Sequence, residues 1–115
     1  MIKVVSEDNI SVCVGTKIGY ITAHYDEKGK RNYKLIIGEI KSIKLGKRKQ
    51  TVEIDGFYLL DLEDVCSDMR IFKEWRAKGI MTVETYFIAD EKTIEHVNKW
   101  IEWTNTHDPS ILNSI

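Results

Sequence analysis

Residues 33–60 read YKLIIGEIKSIKLGKRKQTVEIDGFYLL, and the way this stretch divides decides the fold. Apolar and polar residues alternate from Tyr33 onward, as in a strand buried on one side. The alternation then slips: Leu35 and Ile37 share a face, and Ile40 falls on the other. Gly38 stands between them, and a bulge or sharp bend there would turn the later apolar residues back toward the core. Residues 46–49, GKRK, interrupt the pattern. It resumes at Gln50, with Val52 and Ile54 alternating against Thr51, Glu53 and Asp55. Two strands joined by a basic turn are expected, followed by a turn at Asp55-Gly56 and a further short strand in FYLL.

On the N-terminal side, KIGYITAHY (17–25) sets Ile18, Tyr20, Thr22 and His24 against Gly19, Ile21, Ala23 and Tyr25, a strand rich in β-branched and aromatic residues. Residues 26–32 read as the hairpin connection to the central stretch, and IKVV and ISVCV add one or two strands. On the C-terminal side the period changes. In residues 61–79 Val65, Met69, Phe72 and Trp75 or Arg76 fall at helical spacing, with Asp61 as N-cap, Asp64 at N3 and Gly79 as the stop, which predicts a helix over 62–78. IMTVETYFIA (80–89) reads as a strand with Met81, Val83, Thr85 and Phe87 on one face. A last helix is capped by Asp90 and carries Ile94, Val97 and Ile101 as an apolar stripe widened by Trp100, and Pro109 lies beyond its end.

These elements predict one α+β domain over 1–115. Its antiparallel sheet has about five to six strands, strongly bent or closed as a small SH3-like barrel, and packs with two helices, one of them C-terminal. The tail 108–115 carries Ile111, Leu112 and Ile115, an apolar cluster expected to dock on the domain or on a second copy in a homo-oligomer. Apolar residues make up 43% and charged residues 30% of the 115, with no run near the roughly 20 apolar residues a membrane helix needs. The start shows no export signal, so a cytoplasmic location is expected. Cys13 and Cys66 are far apart and read as small buried hydrophobes. The net charge of −1 conceals two unlike halves. Residues 1–50 hold 11 Lys and Arg against 5 Asp and Glu, and residues 51–115 hold 6 against 13. Such polarity serves an anionic partner or contact between the halves.

Catalytic and metal chemistry find no pattern here. His24, His96 and His107 have no ligand at metal spacing, and Asp61, Asp64 and Asp68 on one helical face are explained by the helix dipole. No serine sits in a nucleophile elbow, and VGTKIG lacks the Lys-Ser/Thr ending of a phosphate loop. No cofactor is expected. The remaining signal is basic and aromatic: Lys30 and Arg31 in the first hairpin, Lys44, Lys47, Arg48 and Lys49 in the second, with Tyr25 and Tyr33 placed to stack. These eight form the candidate binding surface for a partner or an anionic ligand. Against a dedicated nucleic-acid domain stands a pI of about 6.3.

The run from GTKIGYITAHY through GEIKSIKLGKRKQTVEIDGFYLL resembles the strongly bent, hairpin-connected strands of small SH3-like barrels. With YFIADEKTIEHVNKW behind it, the chain is similar to short phage or mobile-element proteins that pair such a sheet with a C-terminal helix. That resemblance implies a binding module, of a kind that in phages sometimes inhibits host defence by covering an enzyme surface or sequestering a nucleotide signal. The expectation is therefore a non-enzymatic interaction protein whose partner is first a protein, met through a sheet edge or the charged loops. A small-molecule binder and a nucleic-acid-binding module are the alternatives.

Overall fold

The computed structural model describes residues 5–7, 10–57 and 59–107. In chain order they form β1 (Val5–Glu7), β2 (Ile10–Val12), β3 (Lys17–Tyr25), β4 (Arg31–Leu45), β5 (Gln50–Ile54), β6 (Leu59–Asp61), α1 (Leu62–Ala77), β7 (Tyr86–Ile88) and α2 (Glu91–Thr106). β1 pairs with β2, and the other five strands make one antiparallel sheet in the order β6-β5-β4-β3-β7. The fold is α+β with two helices, as expected. Its sheet ends at β6 and β7 and is an open, bent sheet, not a closed barrel. Among the described residues no helix is long and apolar enough to cross a membrane.

β4 is the spine. Residues 31–39 pair with β3, from Tyr25↔Arg31 to Lys17↔Glu39, and the strand from Ile40 onward pairs with β5. The second ladder jumps between Ile40 and Ser42, so Lys41 is the extra residue of a bulge. That insertion returns Ile43 to the side of Ile40, and both meet the core formed with Val52 and Ile54. The expected bulge at Gly38 is therefore corrected by three residues. Gly38 has another job: a Cβ there would lie 2.0 Å from the backbone oxygen of Asp55, whose N–H donates to Glu39 at 2.9 Å. The slip between Ile37 and Ile40 arises because this half of the sheet has a core on each face, and Ile37, on the α2 side with Leu35, stays exposed beyond that core. Ile18 and Ile40 belong to one core, while Ile21 and Leu35 pack in the other.

The first core joins β2, β3, β4 and β5 to Leu62, Val65, Cys66 and Met69 of α1. The second lies under α2, where Val97 is fully buried and Ile94, Trp100 and Ile101 pack around it. α1 serves both. Its Phe72 reaches the second core and stacks on Phe87 of β7 at 4.4 Å. Phe87 in turn lies over Gly19, where a Cβ would stand 2.4 Å from the ring. Each fully buried Ile, Leu, Val or Phe side chain contributes about 1.5–3 kcal/mol.

The helix boundaries agree with the sequence. Asp61 takes the N-cap position of α1 but makes no side-chain cap bond, and its carboxylate meets Lys49 at 3.4 Å. Asp90 does cap α2, accepting the Thr93 N–H at 2.8 Å. The strand expected over 80–89 is cut to residues 86–88. Residues 80–85 instead form a loop in which Glu84 has φ 57° and donates its N–H to Ile21 at 2.8 Å. Neither cysteine is in a disulfide; Cys66 is buried and Cys13 half-buried. The tail 108–115 and Tyr58 lie outside the described residues.

Exposed backbone edges are capped at two points by side chains. Alternation turns the N–H and C=O of Tyr33 away from β3, beyond the reach of β5. Asn105 of α2 takes both: its Oδ1 accepts the Tyr33 N–H at 2.9 Å and its Nδ2 donates to the Tyr33 carbonyl at 3.0 Å. On β7 the outward N–H of Tyr86 donates to Asp68 of α1 at 3.2 Å. Burial pushes the Asp68 carboxyl above the ordinary range, the Tyr86 bond opposes this, and Asp64 adds to the rise.

Two consequences can be measured by urea unfolding. Gly38→Ala must push the Asp55 backbone aside and is expected to cost about 1–3 kcal/mol. Because the folded-state pKa of Asp68 is raised, this group favours folding at low pH and disfavours it as pH rises through the raised value. Asp68→Asn keeps an acceptor for Tyr86 and removes the charge. It is expected to be more stable than wild type at pH 7, with the difference closing below about pH 4. Asp68→Ala leaves the Tyr86 N–H unpaired and loses about 1–3 kcal/mol.

Candidate functional site

The structure separates the eight residues expected to bind. The β3–β4 tip and the β4–β5 tip lie at opposite ends of β4, a strand of 15 residues. At roughly 3.3 Å per residue it spans about 50 Å when straight. The longest dimension of the molecule is 51 Å. A compact ligand cannot meet both tips.

At the first tip most of the set is occupied structurally. Asp26 accepts the backbone N–H of Lys28 at 2.9 Å and of Lys30 at 2.8 Å, and Asn32 donates to it at 3.2 Å. These bonds, that of Lys30 foremost, hold its carboxyl below the ordinary range, so a fixed negative charge sits among the lysines. The Lys30 ammonium donates to the carbonyl of Asn105 near the end of α2, where a cation suits the dipole. Arg31 faces Glu84 at 3.8 Å and lies 5.2 Å from the centre of the Tyr33 ring, which packs on Trp100 at 5.0 Å. Tyr25 alone is open, at 71% exposure. At the second tip Lys44, Lys47 and Arg48 are exposed and make no ion pair among the described residues, while Lys49 pairs with Asp61.

A different site comes from two helices that the sequence reading placed correctly and a loop, at residues 80–85, that it read as strand, none of which it brought together. α1 ends in a glycine cap. Gly79, at φ 80°, donates to Arg76 at 2.9 Å and Ile80 donates to Trp75 at 3.0 Å, which folds the chain back beside the helix. Between the last turns of α1, the returning loop, the end of β7 and the first turns of α2 lies a cleft of about 780 Å³. Met69, Phe72, Met81, Ile88 and Trp100 supply apolar walls, and Ile80 and Ile88 stay 47% and 37% exposed at its mouth. Lys73, Arg76, Asp90, Thr93 and His96 supply the polar groups.

These polar groups are unequally engaged. Thr93 is buried, and Asp90 accepts its N–H. That bond is the chief cause of an Asp90 carboxyl held below the ordinary range, with Thr93's hydroxyl and Arg76 assisting, so Asp90 stays ionised as the helix cap. Arg76 reaches across the cleft to the Thr93 hydroxyl only at 3.4 Å and forms no ion pair among the described residues. A half-buried guanidinium with five N–H donors thus has most of them unspent. Of the six Lys and Arg in the acidic second half, Lys73 and Arg76 both line the cleft. Their position beside the apolar stripe of α1 is the sequence signal that could have found it. The cleft residues are separate from the eight expected ones.

Tyr20, Tyr86 and Phe57 form an aromatic cluster on the other side of β7, with Tyr20 and Tyr86 4.9 Å apart. Burial raises the pKa of both tyrosines, and nearby acidic groups add to the rise. No group of three His, Cys, Asp or Glu residues among those described is arranged to hold a metal. Compared with protein-family models, curated proteins and solved structures, this chain has no match.

Proposed function

We propose that the protein is a non-enzymatic binding protein whose working site is the cleft between α1 and α2, and that its occupant is a small molecule. The observation that carries this reading is the combination of size and lining. A volume of about 780 Å³ with apolar walls and a few convergent polar groups has the proportions of small-molecule sites. Apolar side chains such as Ile80 and Ile88 left open at the mouth gain free energy when a ligand covers them.

A second reading, a protein partner, is favoured by one observation on the sheet. Between the Asn105 seal at Tyr33 and the Asp55 contact at Glu39, Leu35 and Ile37 turn their N–H and C=O outward with no partner among the described residues. Ile37 and nearby Val14 are also 42% and 50% exposed. An extended segment of another protein could add there as a short strand.

Two measurements separate the readings. A ligand found by native mass spectrometry or a thermal-shift screen should raise Tm of the wild type by several degrees. Ala77→Trp, which fills the cleft from an exposed helix position, should abolish that shift, and a ligand that stabilises both chains equally would sink the reading. Ile37→Pro removes an outward N–H without touching the β3 ladder. It should leave small-molecule binding intact and release any protein partner held at the edge.

A further inference from the structure

We infer that the cleft ligand is an amphipathic anion, a molecule with an apolar or aromatic body and a carboxylate or sulfonate-like head, and that Arg76 with Lys73 holds the head. This rests on the cleft being the binding site and names its ligand class.

The charge around the cleft sets the sign. Lys73 and Arg76 are one helical turn apart on α1 and both line it, and His96 faces them from α2. Asp90 is the single carboxylate in the lining, and its oxygen is committed to the first turn of α2 through Thr93. The lining therefore carries two full positive charges against one negative charge that is already engaged. A neutral apolar ligand would leave the Arg76 guanidinium covered and underused, which costs more than leaving it in water. A cationic ligand would face it directly. An anion supplies what the long 3.4 Å contact to Thr93 does not. A carboxylate, or two of the three oxygens of a sulfonate, can face the guanidinium fork with two parallel hydrogen bonds.

The rest of the lining sets the body. Met69, Phe72, Met81 and Trp100 present no hydrogen-bond donor or acceptor beyond the indole N–H and weak thioethers. A sugar or a multiply charged phosphate chain would be desolvated against these side chains without compensation. Flexible methionines beside a tryptophan accommodate flat or branched apolar groups of differing outline.

The test uses two probes that share one body. 8-Anilinonaphthalene-1-sulfonate carries the anionic head, and N-phenyl-1-naphthylamine lacks it. For the wild-type chain, fluorescence titration should give saturable binding of the sulfonate at one site, about tenfold or more tighter than the neutral probe. Arg76→Met should bring the two affinities together by weakening the sulfonate alone. Lys73→Met, at an exposed position that cannot unfold the domain, should weaken the sulfonate severalfold, and Arg76→Lys should restore part of the loss. Equal affinity of the two probes for the wild type, or unchanged sulfonate binding in both Met variants, overturns the ligand class while the cleft stands. Failure of both probes to bind, or binding that Ala77→Trp does not reduce, overturns the cleft reading as well.

Discussion

A single inserted residue, Lys41, lets one strand belong to two differently facing halves of a sheet. Before it, β4 runs beside β3 in a half-sheet that has a core on each face. After it, β4 runs beside β5 with Ile40 and Ile43 on the same side. A regular strand of this length would send Ile43 to the solvent face and leave Val52 without a cross-strand partner in the core. With the bulge, the second half curls over α1 and leaves the first half free to receive α2. Gly38 permits the turn by letting the Asp55 backbone close in where any side chain would collide.

An open sheet with a core on each face still exposes its edges, and the helices cap two points on them with polar groups. Asn105 offers β4 the donor and acceptor that another strand would, and Asp68 offers β7 an acceptor. The two solutions differ in cost. A carboxamide is neutral and satisfied on both sides, whereas a carboxylate must be partly desolvated to reach its N–H, which is why its proton affinity rises. Because α1 is held at β7 and α2 at β4, the helices are not pressed against each other along their length. The cleft is the space that these separate attachments leave.

Local signals in the sequence were enough for both helices and the hairpin strands. Gly79 stops α1 and Asp90 starts α2 because each acts within a few residues of itself, and the turns at 26–30 and 46–49 are marked by their own composition. Two readings failed where tertiary contacts override pattern. The parity change after Ile37 looked like a bend at Gly38, but alternation cannot distinguish a kinked strand from one that places apolar residues on both faces. Residues 80–85 alternate like a strand, yet Gly79 and Glu84 adopt positive φ and fold them into a loop. The cleft was hidden for a related reason. Lys73 and Arg76 look like ordinary solvated charges until α2 arrives opposite them. The basic hairpins attracted notice by density of charge, though the length of β4 keeps them apart.

The bond between Asn105 and Tyr33 joins residues 72 apart in the chain. During synthesis β4 is complete long before α2 exists, so the nascent sheet spends the intervening time with Tyr33, Leu35 and Ile37 all unguarded. Such an interval is when strand edges meet those of neighbouring chains. The lysines that crowd both hairpins, including Lys34 on β4 itself, repel a second copy throughout it. Their density near β4 thus has a use in the unfinished chain, before any ligand could be present.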